Sequence, residues 1–123
     1  MHNFYQLYYH FIWGTKNREP LITADIEKLL IDYIPAKAKK LNCICYQVGM
    51  VDDHIHLAVT VPPSINLSSF IQEIKGGSAY LVNQSILDLD YQFQWQNGYG
   101  VISFSQKTLP VIKKYITQQR QHH

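Results

Sequence analysis

Between Val51 and Val61 apolar and polar residues alternate with the two-residue period of a strand. That period sends Val51, Asp53, Ile55, Leu57, Val59 and Val61 to one face and Asp52, His54, His56, Ala58 and Thr60 to the other. One face builds a core; the other carries two imidazoles. The same period over Phe4 to Trp13 places Tyr5, Leu7, Tyr9, Phe11 and Trp13 on one side and Phe4, Tyr8 and Ile12 on the other. Both sides are apolar, which predicts a first strand inside a sheet. Asn42 to Met50, with Ile44, Tyr46, Val48 and Met50 on one face, predicts a second strand, joined to the histidine strand by a short turn at Val51-Asp52-Asp53. Pro62-Pro63 stops the third strand, because neither residue can donate to a ladder.

Helical periods separate these runs. Thr23 is a predicted N-cap, followed by Asp25 and Glu27 in the first turn and an apolar stripe of Ile26, Leu29, Leu30, Tyr33 and Ile34. Pro35 is expected to kink this helix or to end its first segment. A second helix, capped near Ser64 or Asn66, turns Leu67, Phe70, Ile71, Ile74, Leu81 and Val82 toward the core. Gly76-Gly77 interrupts it, serving either close packing or the approach of a nucleic-acid backbone beside Lys75. Tyr91 to Trp95 and Tyr99 to Ser105 flank Gln96-Asn97-Gly98 and predict a hairpin. Thr108 and Pro110 open a final helix. The order β-α-β-β-α-β-α matches an α+β, ferredoxin-like antiparallel sheet with helices on one face, a single domain over residues 1–123.

Composition narrows the function classes only a little. A net charge of +2 is too small to announce a nucleic-acid protein by itself, so any basic surface must be local. Nine tyrosines are a high share for 123 residues and serve as core or as stacking platforms. No run reaches membrane-spanning length and no secretory leader pattern is seen, which together predict a cytoplasmic protein with no membrane partner. Cys43 and Cys45, one residue apart in a strand, are badly placed for a mutual disulfide and are read as reduced thiols.

The candidate chemistry starts with His54 and His56. Same-face neighbours on a strand are about 6.5–7 Å apart, so both rings can converge on one ion, although two satisfied side chains fit the pattern equally. On the last helix Tyr115 and Gln119 share a face; a core tyrosine and a surface glutamine are the ordinary reading of each alone. Asp52 lies on the histidine face by alternation, where an outer-shell role is open, but a turn carboxylate exposed to water is its ordinary reading; His10 reads as structural.

Taken together, His54-Ile55-His56-Leu57, Trp95-Gln96-Asn97-Gly98-Tyr99 with Ser103-Phe104-Ser105, and Tyr115-Ile116 with Gln119 and His122-His123 resemble the single-tyrosine HUH transposases of the IS-two-hundred type. The resemblance runs from the first strand to the last residue. It implies that His54, His56 and Gln119 bind a divalent cation, Mg²⁺ or Mn²⁺, and that Tyr115 is the nucleophile. His122 and His123 are taken as native and non-ligating. The implied reaction cuts and rejoins single-stranded DNA at hairpin-bearing ends of an insertion sequence through a 5′-phosphotyrosine link. The implied assembly is a homodimer, in which Tyr115 acts in cis or in trans. Lys16, Arg18, Lys75, Lys107, Lys113 and Arg120 are candidates for a basic DNA lining, each of them individually an ordinary solvated charge. Three other readings stay open: a host-recruited HUH nuclease that processes repeat hairpins, a binding module that holds single-stranded nucleic acid without cutting it, and an unrelated metal hydrolase using His54 and His56, to which Tyr115 is dispensable.

Overall fold

In the computed structural model the described residues are 4–118. Their elements are β1 (Tyr8–Gly14), α1 (Ala24–Lys40), β2 (Ile44–Met50), β3 (His54–Thr60), α2 (Leu67–Ser85), β4 (Gly100–Phe104) and α3 (Leu109–Thr117), with 3-10 turns at Lys16–Arg18 and Gln106–Thr108. The sheet runs β2-β3-β1-β4 and every adjacent pair is antiparallel. This is the α+β architecture expected from the pattern, with β1 paired on both edges. The register sets Ile12 opposite His56 and Gly14 opposite His54 on one side of β3, and Gly49 opposite His56 on the other.

Alternation divides the sheet into two faces. Phe11 and Trp13 of β1 and Ile55, Leu57 and Val59 of β3 enter a core with Ile26, Leu30, Ile34 and Ala38 of α1 and Phe70, Ile71, Ile74 and Val82 of α2. Removing such side chains from water, at about 25 cal/mol per Å² of apolar surface, is the main force that holds the two layers together. The opposite face carries His10, His54, His56 and Gly49, and α3 lies over it. Two helices therefore share one face and the third covers the other.

Pro35 neither ends α1 nor divides it: one helix runs from Ala24 to Lys40 with Pro35 inside. The lost donor and ring clash cost roughly 3 kcal/mol in a helix interior. Burial of Ile26, Leu30, Ile34 and Ala38 on both sides of the proline, and the Thr23 cap that accepts from the Ile26 amide, offset that cost. α2 is capped by Asn66, whose Oδ1 accepts from the Ser69 amide at 3.1 Å.

The expected hairpin does not form. Residues 91–95 lack strand structure beyond one bridge between Trp95 and Thr15, and β4 pairs with β1 instead. Asn83 replaces the missing strand partner: its amide accepts from the Phe93 N–H at 2.9 Å and donates to the Phe93 carbonyl at 3.0 Å. Phe93 is thereby buried edge-on against Trp95, with ring centroids 4.8 Å apart. A side-chain amide on a distant helix leaves no local trace in a propensity pattern, and β-favouring residues alone were a poor guide here.

The two glycines of α2 have different surroundings. A β-carbon at Gly77 would collide with the Tyr33 hydroxyl in the seam between α1 and α2, whereas one at Gly76 meets nothing within 4 Å. Close packing therefore accounts for Gly77. Gly77→Ala is expected to cost about 1–3 kcal/mol by overpacking. Gly76→Ala is expected to gain up to about 1 kcal/mol through helix propensity. Urea denaturation of the two variants checks both signs; equal shifts would remove the steric distinction.

Candidate active site

β3 and α3 bring the chemistry together. All seven residues of β3 are buried, and His54 and His56 point from it toward α3 with ring centroids 5.2 Å apart. Tyr115 comes down onto them from α3, its ring centroid 5.6 Å from His56 and 6.2 Å from His10 in edge-on contacts. It is still 45% exposed, so its hydroxyl is within reach of solvent. α3 sits this low because residue 49 is glycine: a β-carbon there would lie 2.6 Å from the Ile116 carbonyl oxygen and 2.7 Å from its Cγ2. An open cleft of about 470 Å³ runs between the histidines, Tyr115, Arg18 and the 96–99 segment.

Each imidazole is oriented through Nδ1. His56 Nδ1 lies 2.8 Å from His10 Nε2, and His54 Nδ1 lies 2.7 Å from Asp53 Oδ1. A carboxylate accepts only, so His54 Nδ1 carries the proton and donates it to Asp53. Burial by itself would raise the Asp53 carboxyl. The hydrogen bonds from His54 and Arg18, with the charge of both, outweigh it and hold Asp53 below its ordinary value. Burial also lowers His10, which favours a neutral ring able to accept from His56. Both contacts engage Nδ1, so Nε2 is the ring nitrogen that each site histidine could offer to a metal, the arrangement seen where a neighbouring group orients a ligating imidazole.

Arg18 reaches the site through an unusual loop. Asn17 and Arg18 have φ of 57° and 52°, a left-handed conformation that costs roughly 1–3 kcal/mol for a non-glycine residue and collects at functional sites. The Arg18 guanidinium lies 3.4 Å from Asp53 Oδ2 and from His54 Nδ1. With Nδ1 already protonated, its partner is the carboxylate. Gly14 makes room for this crossing, since a β-carbon there would lie 2.8 Å from Arg18 Cδ.

The structure rearranges several expectations from the sequence. Asp53, not Asp52, stands beside His54, because residues 51–53 form a turn closed by the Val51 amide on the His54 carbonyl, and alternation fails in a turn. His10 is the partner of His56; its position on the same face as Ile12 was the available signal. The Lys75 ammonium donates to the Gln96 and Gly98 carbonyls at 2.7 and 2.8 Å, tying that loop to α2, and burial lowers its pKa. Lys16 is exposed at the rim of the neighbouring cleft, and Lys107 and Lys113 are exposed near the ends of β4 and in α3. Gln119, Arg120, His122 and His123 lie outside the described residues. Burial pushes both thiols, Cys43 and Cys45, up to about 11, and both are free.

Among the described residues no group of three or more His, Cys, Asp and Glu side chains is placed to hold a metal ion. Two adjacent imidazoles held through Nδ1 by Asp53 and His10 nevertheless fit a divalent cation that takes its remaining donors from an amide oxygen, phosphate and water. No helix among the described residues is long and apolar enough to cross a membrane.

Comparison with known proteins places these features in context. Residues 3–119 match the family described as "Transposase IS200 like". The ISDra2 transposase TnpA of Deinococcus radiodurans is 27% identical over 119 residues, covering 94% of this chain and 85% of that one. The transposase of insertion sequence element IS200 from Salmonella typhimurium is 24% identical over 115 residues, covering 90% and 75%. A crystal structure of a candidate transposase from Deinococcus radiodurans superposes with a TM-score of 0.78 at 25% identity, covering 97% of this chain and 95% of that one. A tyrosine transposase bound to a REP hairpin shares the fold, with a TM-score of 0.72 at 17% identity over 100% and 73% of the two chains.

Proposed function

We propose, starting from the fact that this chain belongs to the IS200-like transposase family, that it cuts and rejoins single-stranded DNA beside a hairpin, with Tyr115 as nucleophile. The observation that carries the reading is the contact of a half-exposed Tyr115 with His56, in a cleft it shares with His54. Neither a core tyrosine nor a pair of structural histidines explains that juxtaposition. The relative solved with a REP hairpin supports a hairpin substrate.

In this mechanism the Tyr115 hydroxyl attacks the phosphorus of a phosphodiester. The Tyr–O–P bond forms, the bond from phosphorus to the 3′ oxygen breaks, and the tyrosine proton is lost as the leaving 3′ oxygen gains one. The product is a 5′-phosphotyrosine and a 3′-hydroxyl, and attack of a second 3′-hydroxyl on the phosphotyrosine joins strands and restores Tyr115. A phenol of pKa near 10 is a weak nucleophile at neutral pH and needs its developing charge steadied. His54 and His56, with Gln119, would hold Mg²⁺ or Mn²⁺, which supplies Lewis-acid polarisation of the phosphate. Asp53 and His10 keep the two imidazoles in the tautomer this needs. Arg18 brings a guanidinium to the edge of the same cleft, where it meets the strand's negative charge.

One chain brings Tyr115 to its own His56, which supports action in cis. A homodimer is proposed on separate ground. Among the described residues β4 has one unpaired edge and exposes Val101 and Ile102, a combination that invites pairing with a second copy.

The test is incubation of the protein with hairpin-bearing single-stranded DNA and Mg²⁺ or Mn²⁺, followed by denaturing electrophoresis. The expected result is a covalent protein–DNA band that EDTA prevents. Retention of DNA under native conditions with no covalent band in any metal would instead establish the binding module.

A further inference from the structure

Beside the cleft of Tyr115 lies a second, larger one of about 710 Å³, between the Lys16–Arg18 turn, the outer face of α2 and residues 92–97. Its size is within the roughly 300–1,000 Å³ range of small-ligand sites. Gln96 and Asn97 line both clefts, so a chain leaving one enters the other.

The frame of this second cleft is fixed by hydrogen bonds. Asn83 holds Phe93, Ser78 accepts from the Trp95 indole at 2.9 Å, Lys75 clamps the 96–98 carbonyls, and Gln96 Oε1 accepts from the Asn17 amide at 2.7 Å. The remaining polar groups on the wall are not consumed in this frame. The side chains of Gln84, Asn97 and Lys16 make no hydrogen bond or ion pair with other described residues. Tyr80 stands at the rim, 69% exposed, on a helix surface that offers no packing reason for an aromatic ring. Among the described residues no carboxylate lines the cleft.

An exposed ring is a stacking platform for a base, side-chain amides match the donor and acceptor edge of a base, and an ammonium pairs with phosphate. We propose that this cleft takes an unpaired nucleotide of the single strand whose neighbouring phosphodiester is presented to Tyr115, with Tyr80 stacking on the base, Asn97 and Gln84 reading its edge, and Lys16 meeting its phosphate. The inference rests on the function proposed above and adds a second, base-reading subsite. That subsite contributes to the choice of cleavage position through protein contacts, apart from recognition of the hairpin.

The experiment uses the full chain carrying Tyr115→Phe, so that no cleavage is required. The probes are a DNA hairpin with randomised single-stranded flanks on both sides and the same hairpin without flanks. Tyr80→Ala in that background is expected to weaken binding of the flanked probe about tenfold, with the unflanked hairpin unaffected. With iodouracil in the flanks, irradiation is expected to crosslink the strand to Tyr80 or Trp95. Sequencing the bound pool is expected to show a base preference that Asn97→Ala flattens. Tyr80→Ala with unchanged affinity for the flanked probe overturns the proposal, as do crosslinks confined to other parts of the chain. These outcomes are independent of the covalent band. If the wild-type protein forms the band but Tyr80→Ala binds normally, the nucleotide subsite fails and the tyrosine mechanism stands. If the Tyr80 effect and crosslinks appear without any band in the wild type, the reverse holds.

Discussion

Tyr115→Phe is expected to reduce formation of the covalent protein–DNA product at least about a thousandfold, since it removes the atom that bonds to phosphorus and leaves only the ring. DNA binding should stay within about twofold, because the ring still packs edge-on against His10 and His56 and a half-exposed hydroxyl adds little to folding. Denaturing gels for the covalent product and gel shifts for binding separate the two effects. Tyr99 is the informative control: it lines the same cleft, yet its hydroxyl is held by Ser68 at 3.0 Å and its ring packs on Phe11. Tyr99→Phe should therefore retain the product. A band that survives Tyr115→Phe and vanishes in Tyr99→Phe would move the nucleophile to Tyr99 and overturn the assignment.

The mechanism also explains why the histidine tautomers matter. A ring that ligates through Nε2 must carry its other proton on Nδ1, and Asp53 and His10 are the groups positioned to accept those protons. The left-handed Asn17-Arg18 turn adds a guanidinium that keeps Asp53 ionised despite partial burial. The neighbours of the histidines are thus organised around them from three directions: the turn before β3, the strand beside it and the loop after β1.

Much of this was legible in the sequence because strands and helices write their period into it. The alternation of β3 separated His54 and His56 from Ile55 and Leu57, and the face that enters the core with α1 and α2 is the one it predicts. From its period alone Tyr115 was legible only as a helix residue, and its part in the site came from the resemblance; nothing local says that α3 crosses to the histidine face. What failed did so where the period stops or where a distant side chain decides. Asp53 leaves the core face that alternation gave it and turns to His54, and Asn83 takes the part of a strand for Phe93. Gly49 gave no sequence signal at all, since a glycine in a strand has many explanations.

Gly49→Ala is expected to lower the rate of covalent product formation about a hundredfold or more while the sheet and its α1/α2 core stay folded. The added carbon meets the Ile116 carbonyl oxygen and Cγ2 well inside contact distance, and backbone cannot rotate away as a side-chain tip can. α3 must lift, and it carries Tyr115 away from His56; misplacement of a reacting group by about 1 Å costs on the order of a hundredfold. The stability loss should be limited to the roughly 1–3 kcal/mol typical of overpacking, because the core lies on the far side of the sheet. Urea denaturation and the gel assay measure the two losses separately. Ile116→Ala in the same chain removes Cγ2 but leaves the carbonyl in place, so the double variant should not recover activity. Recovery in that variant would make the Ile116 side chain, rather than the helix backbone, the element that sets the height of Tyr115 over the histidines. Undiminished product formation by Gly49→Ala would show that the depth at which α3 sits on Gly49 is not what positions the nucleophile.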